Sequence, residues 1–424
     1  MRQSAPGASR SWLQFHNAFL LAMDSILSHK LRSFLTLLGV IIGVASVIMV
    51  GAAIDGLGVY AEESTVKAFG SESFLVAQIA ATGQMSRREY FDKVKRNKPI
   101  RTADARYLEA QNGDRVMYSP YRNHASDVKR EDATCEDTTI VGVSSDMAAI
   151  RDIGVVDGRF FTQQEDRSRA YVAVIGDTVK DTLFPGDASP LGRTLRIEGI
   201  EYTVVGLLEK LGSAFGRDQD KVIYIPISAY NRMYGPGTGF AVFGRARPGL
   251  NLSLQDALDE TRVALRTRFH ARPGQPDNFD TLTPDAIRGF IDQLLSLVAA
   301  IVVPVTCISL VVGGIVIMNI MLVSVTERTR EIGLRKSVGA RHGDVMMQIL
   351  IEAVVLASMG GALGVALGAI ATVILGKVFE LTLHISIGYV VLAIGVSSIV
   401  GVVSGWYPAS RAAKLDPVVA LRAE

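Results

Sequence analysis

Four long apolar stretches, one near the N-terminus and three crowded into the last third, constrain this chain more than any other feature. The first, 33–54, has no charged residue over its 22 positions. That is enough for about 30 Å of hydrocarbon in helical form. It exceeds the apolar core of a secretory leader and follows a long polar and amphipathic segment, so it reads as a retained anchor. The second, 293–326, is uncharged over 34 residues, more than one crossing requires. We read it as a helical stalk followed by a span from Val305 to Val325, with Pro304 as a kink or hinge between them. The third and fourth spans occupy 345–376 and 387–406, joined by a short loop, 377–386.

Between the first and second spans lies a segment of soluble character, 55–292. The whole chain is 49% apolar and 20% charged, with a mean hydropathy of +0.28. This suits a membrane protein that carries a water-soluble domain. A net charge of +2 gives no field for nucleic acid.

Lys and Arg set the sidedness. They gather in 1–32 (Arg2, Arg10, Lys30, Arg32), in 327–344 (Arg328, Arg330, Arg335, Lys336, Arg341) and in the tail 407–424 (Arg411, Lys414, Arg422). The 377–386 turn has only Lys377. Both termini and the middle loop are therefore expected in the cytoplasm of an inner-membrane protein, with 55–292 outside. Ahead of the first span, Phe15, Phe19, Met23, Ile26, Leu27 and Leu31 recur at helical steps, predicting an amphipathic entrance helix on the inner membrane surface.

Glycines four residues apart recur in the spans: Gly39 and Gly43, then Gly360, Gly364 and Gly368, then Gly401 and Gly405. Such ladders let helix backbones approach closely, within one subunit or between two. A dimer contact is best placed on the first two spans.

The outer segment reads as mixed α/β. Ser73–Ala80 alternates like a strand, Thr102–Gln111 reads as a helix, and Val116–Pro120 as a short return strand. Later, Gly239–Ala246 reads as a strand. A helix opens at Ser253 with Asp256 three residues on, and Asn278–Leu282 is a short strand. The two β-α-β units, 55–120 and 236–287, would form one ferredoxin-like layer. Between them, 121–235 is strand-rich: Thr138–Val143, Tyr171–Ile175, Thr194–Ile197, Tyr202–Leu207 and Val222–Ile225.

Chemistry has little footing. The six His are scattered, and no Cys/His metal spacing or Gly-x-Ser-x-Gly elbow occurs. The nearest approach to a phosphate loop, Gly376-Lys377, has Ala371 for the first Gly and Val378 for the Ser/Thr. No metal, cofactor or catalytic residue is expected in this chain. Cys135 and Cys307 lie in regions of opposite polarity and are not expected to pair.

The loop after the second span reads Glu327-Arg-Thr-Arg-Glu-Ile-Gly-Leu-Arg-Lys-Ser-Val-Gly-Ala-Arg341 and continues through Asp344 into Gln348-Ile-Leu-Ile-Glu-Ala353. The tail reads Tyr407-Pro-Ala-Ser-Arg-Ala-Ala-Lys-Leu-Asp-Pro-Val-Val-Ala-Leu-Arg422. Both resemble the signatures of the MacB/FtsX/LolC-type ABC transporter permeases. Gly158-Arg-Phe-Phe161, Val172-Ala-Val-Ile-Gly176, Leu183-Phe-Pro185, Val204-Val-Gly-Leu207 and Tyr224-Ile-Pro226 resemble the outer domain of the MacB type. That likeness implies a Porter-like part (55–120 and 236–287) with a Sabre-like insert (121–235).

The resemblance also implies how such a chain works. ATP and Mg would be bound by an ABC ATPase, here expected as two copies of a separate polypeptide. ATPase docking would fall on Glu327, Arg328, Arg330, Glu331, Ile332, Gly333, Leu334, Arg335, Gly339, Ala340 and Arg341. The chain would homodimerise in membrane lipid and transmit motion outward, for export from the periplasm with an adaptor and a TolC-like outer-membrane duct. The same superfamily offers two alternatives: lipoprotein release of the LolC/LolE type, and FtsX-like signalling to a cell-wall hydrolase.

Overall fold

The computed structural model describes residues 30–422 apart from Gln84, 187–188, Phe215, Pro236, Thr238 and 380–382. The predicted entrance helix falls almost wholly outside these residues. The chain divides into an α/β unit, 61–293, and a helical unit formed by the residues before and after it.

In chain order the first elements are α1 (Lys30–Phe69), β1 (Ser73–Ala77), α2 (Arg87–Arg96), α3 (Thr102–Asn112), β2 (Val116–Arg130) and β3 (Ala133–Val143). Then come α4 (Met147–Ile150), β4 (Val155–Gly158), α5 (Gln163–Arg167), β5 (Val172–Ile175), α6 (Asp177–Leu183), β6 (Thr194–Ile197) and β7 (Ile200–Leu208). The unit closes with β8 (Ser213–Ala214), β9 (Arg217–Asp218), β10 (Val222–Pro226), α7 (Ile227–Tyr234), β11 (Ala241–Ala246), α8 (Leu254–Arg268) and β12 (Asp280–Leu282).

Ten strands form one sheet in the order β12-β1-β11-β2-β3-β10-β5-β7-β4, with β6 on β2 and β7. At one end, β12, β1, β11 and β2 are antiparallel neighbours, the strand order of a βαββαβ layer whose helices are α3 and α8. Phe74, Val76, Leu108, Val242, Leu258 and Leu265 fill the core of that layer. The cap of α8 follows from its sequence. The Ser253 hydroxyl accepts the Asp256 amide at 3.1 Å, and the Asp256 carboxylate accepts the Ser253 amide at 3.2 Å. Farther along the sheet, Ile140, Ile175, Ile197, Tyr202, Ile223 and Ile225 pack beneath α6 and α7. In β6, Leu195 and Ile197 are buried while Thr194 and Arg196 face out, the period-two pattern of a half-buried strand.

Two elements depart from the sequence reading. The strand expected to stop at Pro120 continues to Arg130 as β2, in a hairpin with β3 that turns at Glu131, φ 51°. Beyond Tyr121 only Val128 is fully buried, so residues 121–130 carry no apolar alternation to announce a strand. The helix α2 was not anticipated either. Most of its residues are charged and none is buried, so it has no core-facing stripe. Cys135 is 2% exposed in the β3 core, whereas Cys307 is exposed.

The helical unit comprises the first part of α1, the later part of α9 (Pro284–Glu327), then α10 (Thr329–Ser337), α11 (His342–Phe379), α12 (Ile387–Ala413) and α13 (Pro417–Arg422). Among the described residues, α1, α9, α11 and α12 are long and apolar enough to cross a membrane. The helix α9 runs through Pro304 without interruption. Proline removes one backbone donor there. The Thr306 hydroxyl donates to the Val303 carbonyl at 2.8 Å on the same turn.

Glycine makes the contacts between these helices. A Cβ on Gly39 would stand 2.8 Å from Gly313 Cα, and one on Gly43 would meet Leu310 at 2.9 Å, both on α9. Gly360, Gly364 and Gly368 of α11 lie against Val40, Val44 and Ile48 of α1. Gly401 and Gly405 of α12 lie against Ala357 and Ala353 of α11. All of these ladders face helices of the same chain.

Candidate functional site

The loop singled out in the sequence folds at one end of the helical unit. The chain breaks at Arg328 (φ −103°, ψ 15°), between α9 and α10. The Thr329 hydroxyl bridges the break, donating to the carbonyls of Val325 and Thr326 at 3.1 and 2.8 Å. The helix α10 ends on Gly339, φ 106°. The Ala340 amide returns to the Arg335 carbonyl and the Gly339 amide to that of Lys336, both at 3.1 Å. This is a Schellman closure, and the positive φ is why glycine stands there. Asp344 then accepts the Arg341 amide at 3.0 Å as α11 begins.

One side of α10 is fastened to the rest of the unit. Ile332 is buried, and Gly333 lies so close to α13 that a Cβ would stand 2.6 Å from that of Ala420. The Lys336 ammonium donates to the carbonyls of Ala413 and Leu415 at 2.6 and 2.7 Å. It thereby satisfies acceptors that the end of α12 leaves open, at the end where a cation is also favoured by the helix dipole. Arg335 reaches Gln348 of α11 at 2.8 Å and pairs with Glu331 on its own helix. Arg328 pairs with Glu352 of α11 at 3.4 Å, and that carboxylate is nearly buried.

The other side is open. Leu334 is 57% and Val338 83% exposed, and Glu327, Arg330, Glu331, Gly339 and Arg341 are exposed around them. Ala340 is half-buried. The residues named from sequence thus split into two sets. Ile332, Gly333 and Arg335 hold the element together, while Leu334, with its polar neighbours, faces outward. Three participants were not named: Lys336, Val338 and Ala420. Lys336 was read only as a membrane-sidedness charge, although a Lys three residues before a helix-ending Gly is also placed to cap carbonyls.

Among the described residues no group of His, Cys, Asp and Glu could hold a metal ion. In the α/β unit, the Gly158-to-Phe161 motif serves structure. Phe161 is buried, and Arg159 holds Glu165 through two hydrogen bonds of 2.7 Å. That pairing pulls the Glu165 carboxyl down to about 2, helped by the Thr162 amide and hydroxyl.

Comparison with known proteins now bears on this architecture. Residues 33–261 match the family described as MacB-like periplasmic core domain, and 295–417 match FtsX-like permease C-terminal. A macrolide export ATP-binding/permease protein MacB of Bdellovibrio bacteriovorus is 35% identical over 410 residues, covering 95% of this chain and 61% of that protein. Its namesake from Rhodospirillum rubrum is 34% identical over 97% of this chain and 61% of its own length. The chain therefore spans about three fifths of the relatives it matches. The crystal structure of the periplasmic region of MacB from Actinobacillus actinomycetemcomitans aligns with 54% of this chain and 95% of its own, at 16% identity and a TM-score of 0.42. With a MacB-like periplasmic core domain and an FtsX-like C-terminal region that together account for most of its length, the chain belongs to the MacB-like, FtsX-type permeases.

Proposed function

We propose that this chain is the permease part of an ABC transporter, and that α10 is where an ABC ATPase, in two copies, docks. The observation that carries this is the pairing of an open apolar side, Leu334 and Val338, with a fastened one. A helix held only as a membrane-side anchor needs its charges, not two exposed apolar groups. The names of the relatives join an ATP-binding and a permease function. On this reading ATP and Mg belong to the ATPase, and these residues hydrolyse nothing themselves. Nucleotide-driven closure pushes α10. Its ties to α11, α12 and α13 pass the displacement into the membrane helices and on to the periplasmic domain, with no substrate crossing the bilayer through the chain.

Both termini and α10 lie on the cytoplasmic side of the inner membrane in this reading. The βαββαβ layer corresponds to a Porter-like part and the remaining strands to a Sabre-like insert. Homodimerisation is supported by α9. Leu294, Val298, Ile301, Val305, Ile308, Val312 and Ile315 repeat at alternating four- and three-residue steps, and each is 45–63% exposed. Such spacing is that of a helix seam. The cargo leaves from the periplasm through an adaptor and a TolC-like duct.

The test is the double substitution Leu334→Asp, Val338→Asp in the assembled transporter, with Lys377→Glu at the far end of α11 as control. Losing two apolar anchors from a desolvated interface weakens it by about thirtyfold or more. ATPase co-purification and export should both fall, with membrane insertion unchanged. Normal association and export in the double variant would refute the docking assignment.

A further inference from the structure

Four arginines of the α/β unit line one cleft, and among the described residues none of them makes an ion pair. The cleft, of about 730 Å³, lies between α3 on one side and α5 and α7 on the other. From α3 come Thr102, Ala105, Arg106 and Glu109, which fall within an arc of about 100° at helical spacing. Across from them are Arg167 and Arg169 at the end of α5 and Arg232 on α7. Arg232 lies over the Tyr171 ring at 5.8 Å. Elsewhere in the unit Arg115, Arg159, Arg245 and Arg268 each hold a carboxylate. Glu109, Asp146 and Asp166 also line the cleft, yet none of its arginines closes on them. Asp166 is committed elsewhere. Its carboxylate accepts the Ser228 amide at 3.1 Å and its carbonyl accepts the Ser228 hydroxyl, which joins α5 to α7 in one wall.

The backbone at Arg169 is a second, independent sign. Arg169 follows α5 with φ 57°. The Ala170 amide returns to the Glu165 carbonyl at 2.9 Å and the Arg169 amide to that of Asp166 at 3.1 Å. Glycine is the usual residue at such a helix end, because a Cβ disfavours the left-handed backbone. Here an arginine carries the strain, and among the described residues its side chain makes no hydrogen bond that would repay it. Strained residues of this kind concentrate at ligand sites. Between the walls the lining is apolar. Phe240 and Tyr118 are buried, and Pro120 and Ile227 are half-buried. The Tyr118 hydroxyl is taken by Thr261 at 2.7 Å, so only its ring is on offer. The volume is that of a small-molecule site, about 300–1,000 Å³.

We propose that this cleft binds a small organic oxyanion, a carboxylate or phosphate carried on an apolar body. Arg106 meets the anionic head from one wall, and Arg167 and Arg169 meet it from the other. Phe240, Ile227 and Pro120 cover the body. The guanidinium fork matches carboxylate and phosphate in the same way, so the two heads are one chemistry to this site. The site stands whether or not α10 docks an ATPase, so neither assignment fails with the other.

The test uses the full chain in phosphatidylcholine nanodiscs, with no ATPase present. It is titrated with naphthyl phosphate and naphthoate, then with naphthylmethanol and naphthylmethylammonium as neutral and cationic counterparts. Both anions should bind about tenfold or more tighter than either counterpart. Inorganic phosphate should compete only weakly, since it lacks the apolar body. Arg106→Gln and Arg167→Gln should each weaken anion binding about tenfold, and Arg167→Lys by less. Arg272→Gln, which removes an exposed arginine outside the cleft, should leave it unchanged. Arg169→Gly should separate binding from stability. Affinity should fall, while α5 stays at least as protected from hydrogen exchange, because glycine relieves the strained backbone. Equal affinity for naphthyl phosphate and naphthylmethanol would overturn the proposal. So would preference for the ammonium probe, unchanged binding in the Arg106→Gln, Arg167→Gln double variant, or an equal loss in Arg272→Gln. Inorganic phosphate competing as well as naphthyl phosphate would overturn the assignment of an apolar body.

Discussion

The two units are built on opposite plans. In the α/β unit the largest side chains are inside: Tyr202, Phe74, Phe161 and Phe184 are under 2% exposed, or nearly so. In the helical unit glycines make the closest helix contacts, and many of the large side chains stand outside. Gly39 meets Gly313 and Gly364 meets Val44, while Ile301, Ile308, Ile370 and Val403 stand more than half exposed. Water drives apolar bulk inward; lipid does not distinguish a leucine inside from one outside. What remains to hold helices together in lipid is close backbone approach, which glycine permits. The same composition rule, read in one solvent only, would misjudge half the molecule.

The contrast can be broken most severely by emptying the α/β core. Phe74→Ala should destabilise that unit by about 3–5 kcal/mol, seen as faster hydrogen exchange in β1 and β11 with the membrane helices unaffected. The helical unit should fail in the reverse way, by addition. Gly364→Val places new atoms where Val44 Cβ and the Ile41 carbonyl already stand at 2.7 and 2.9 Å from a Cβ. We expect a loss of about 1–3 kcal/mol in detergent unfolding of the bundle, with the α/β unit intact. A smaller effect should follow Ser253→Ala, about 1 kcal/mol, from the lost cap of α8.

Acid titration sharpens the comparison further. Glu165 sits well below its unfolded value because Arg159 holds it ionised. Its stabilising contribution is therefore complete above about pH 5 and lost as pH falls toward about 2. Glu165→Gln should flatten acid unfolding of the α/β unit in that window, by at most about 1 kcal/mol since the pair is solvent-screened. At the bottom of the scale, Val311→Ala on the outer side of α9 should shift stability by less than about 0.5 kcal/mol in lipid. An equivalent truncation at Ile140, buried in the sheet, would not be so forgiving.

What the sequence disclosed follows the same divide. The four apolar stretches stand out because lipid demands an uninterrupted run. The capping pair Ser253 and Asp256 is legible because it is local. The residues 121–130 were not legible as strand, since their partners, β3, β6 and β11, supply the hydrogen bonds while their own side chains mostly face water. The candidate site divides likewise. Glu331 with Arg335 is a four-residue relation on one helix, readable from spacing. Lys336 with Ala413 and Leu415, and Gly333 with Ala420, join positions some eighty residues apart. Nothing in a single sequence marks such a pair. Ile332 and Gly333 were consequently assigned outward, although both are buried, Gly333 against Ala420 of the tail.

The strand β2 has a mechanical meaning. It pairs with β11 at its beginning and with β3 and β6 farther on, so one run of backbone belongs to both ends of the sheet. Fifteen extended residues reach about 50 Å. A torque applied at the β12 end cannot turn that end about a loose joint, because the bar crossing the would-be hinge is loaded in shear along a row of parallel-acting hydrogen bonds. The plate should swing whole or not at all, and its most yielding point is the register shift between Ser126 and Val128.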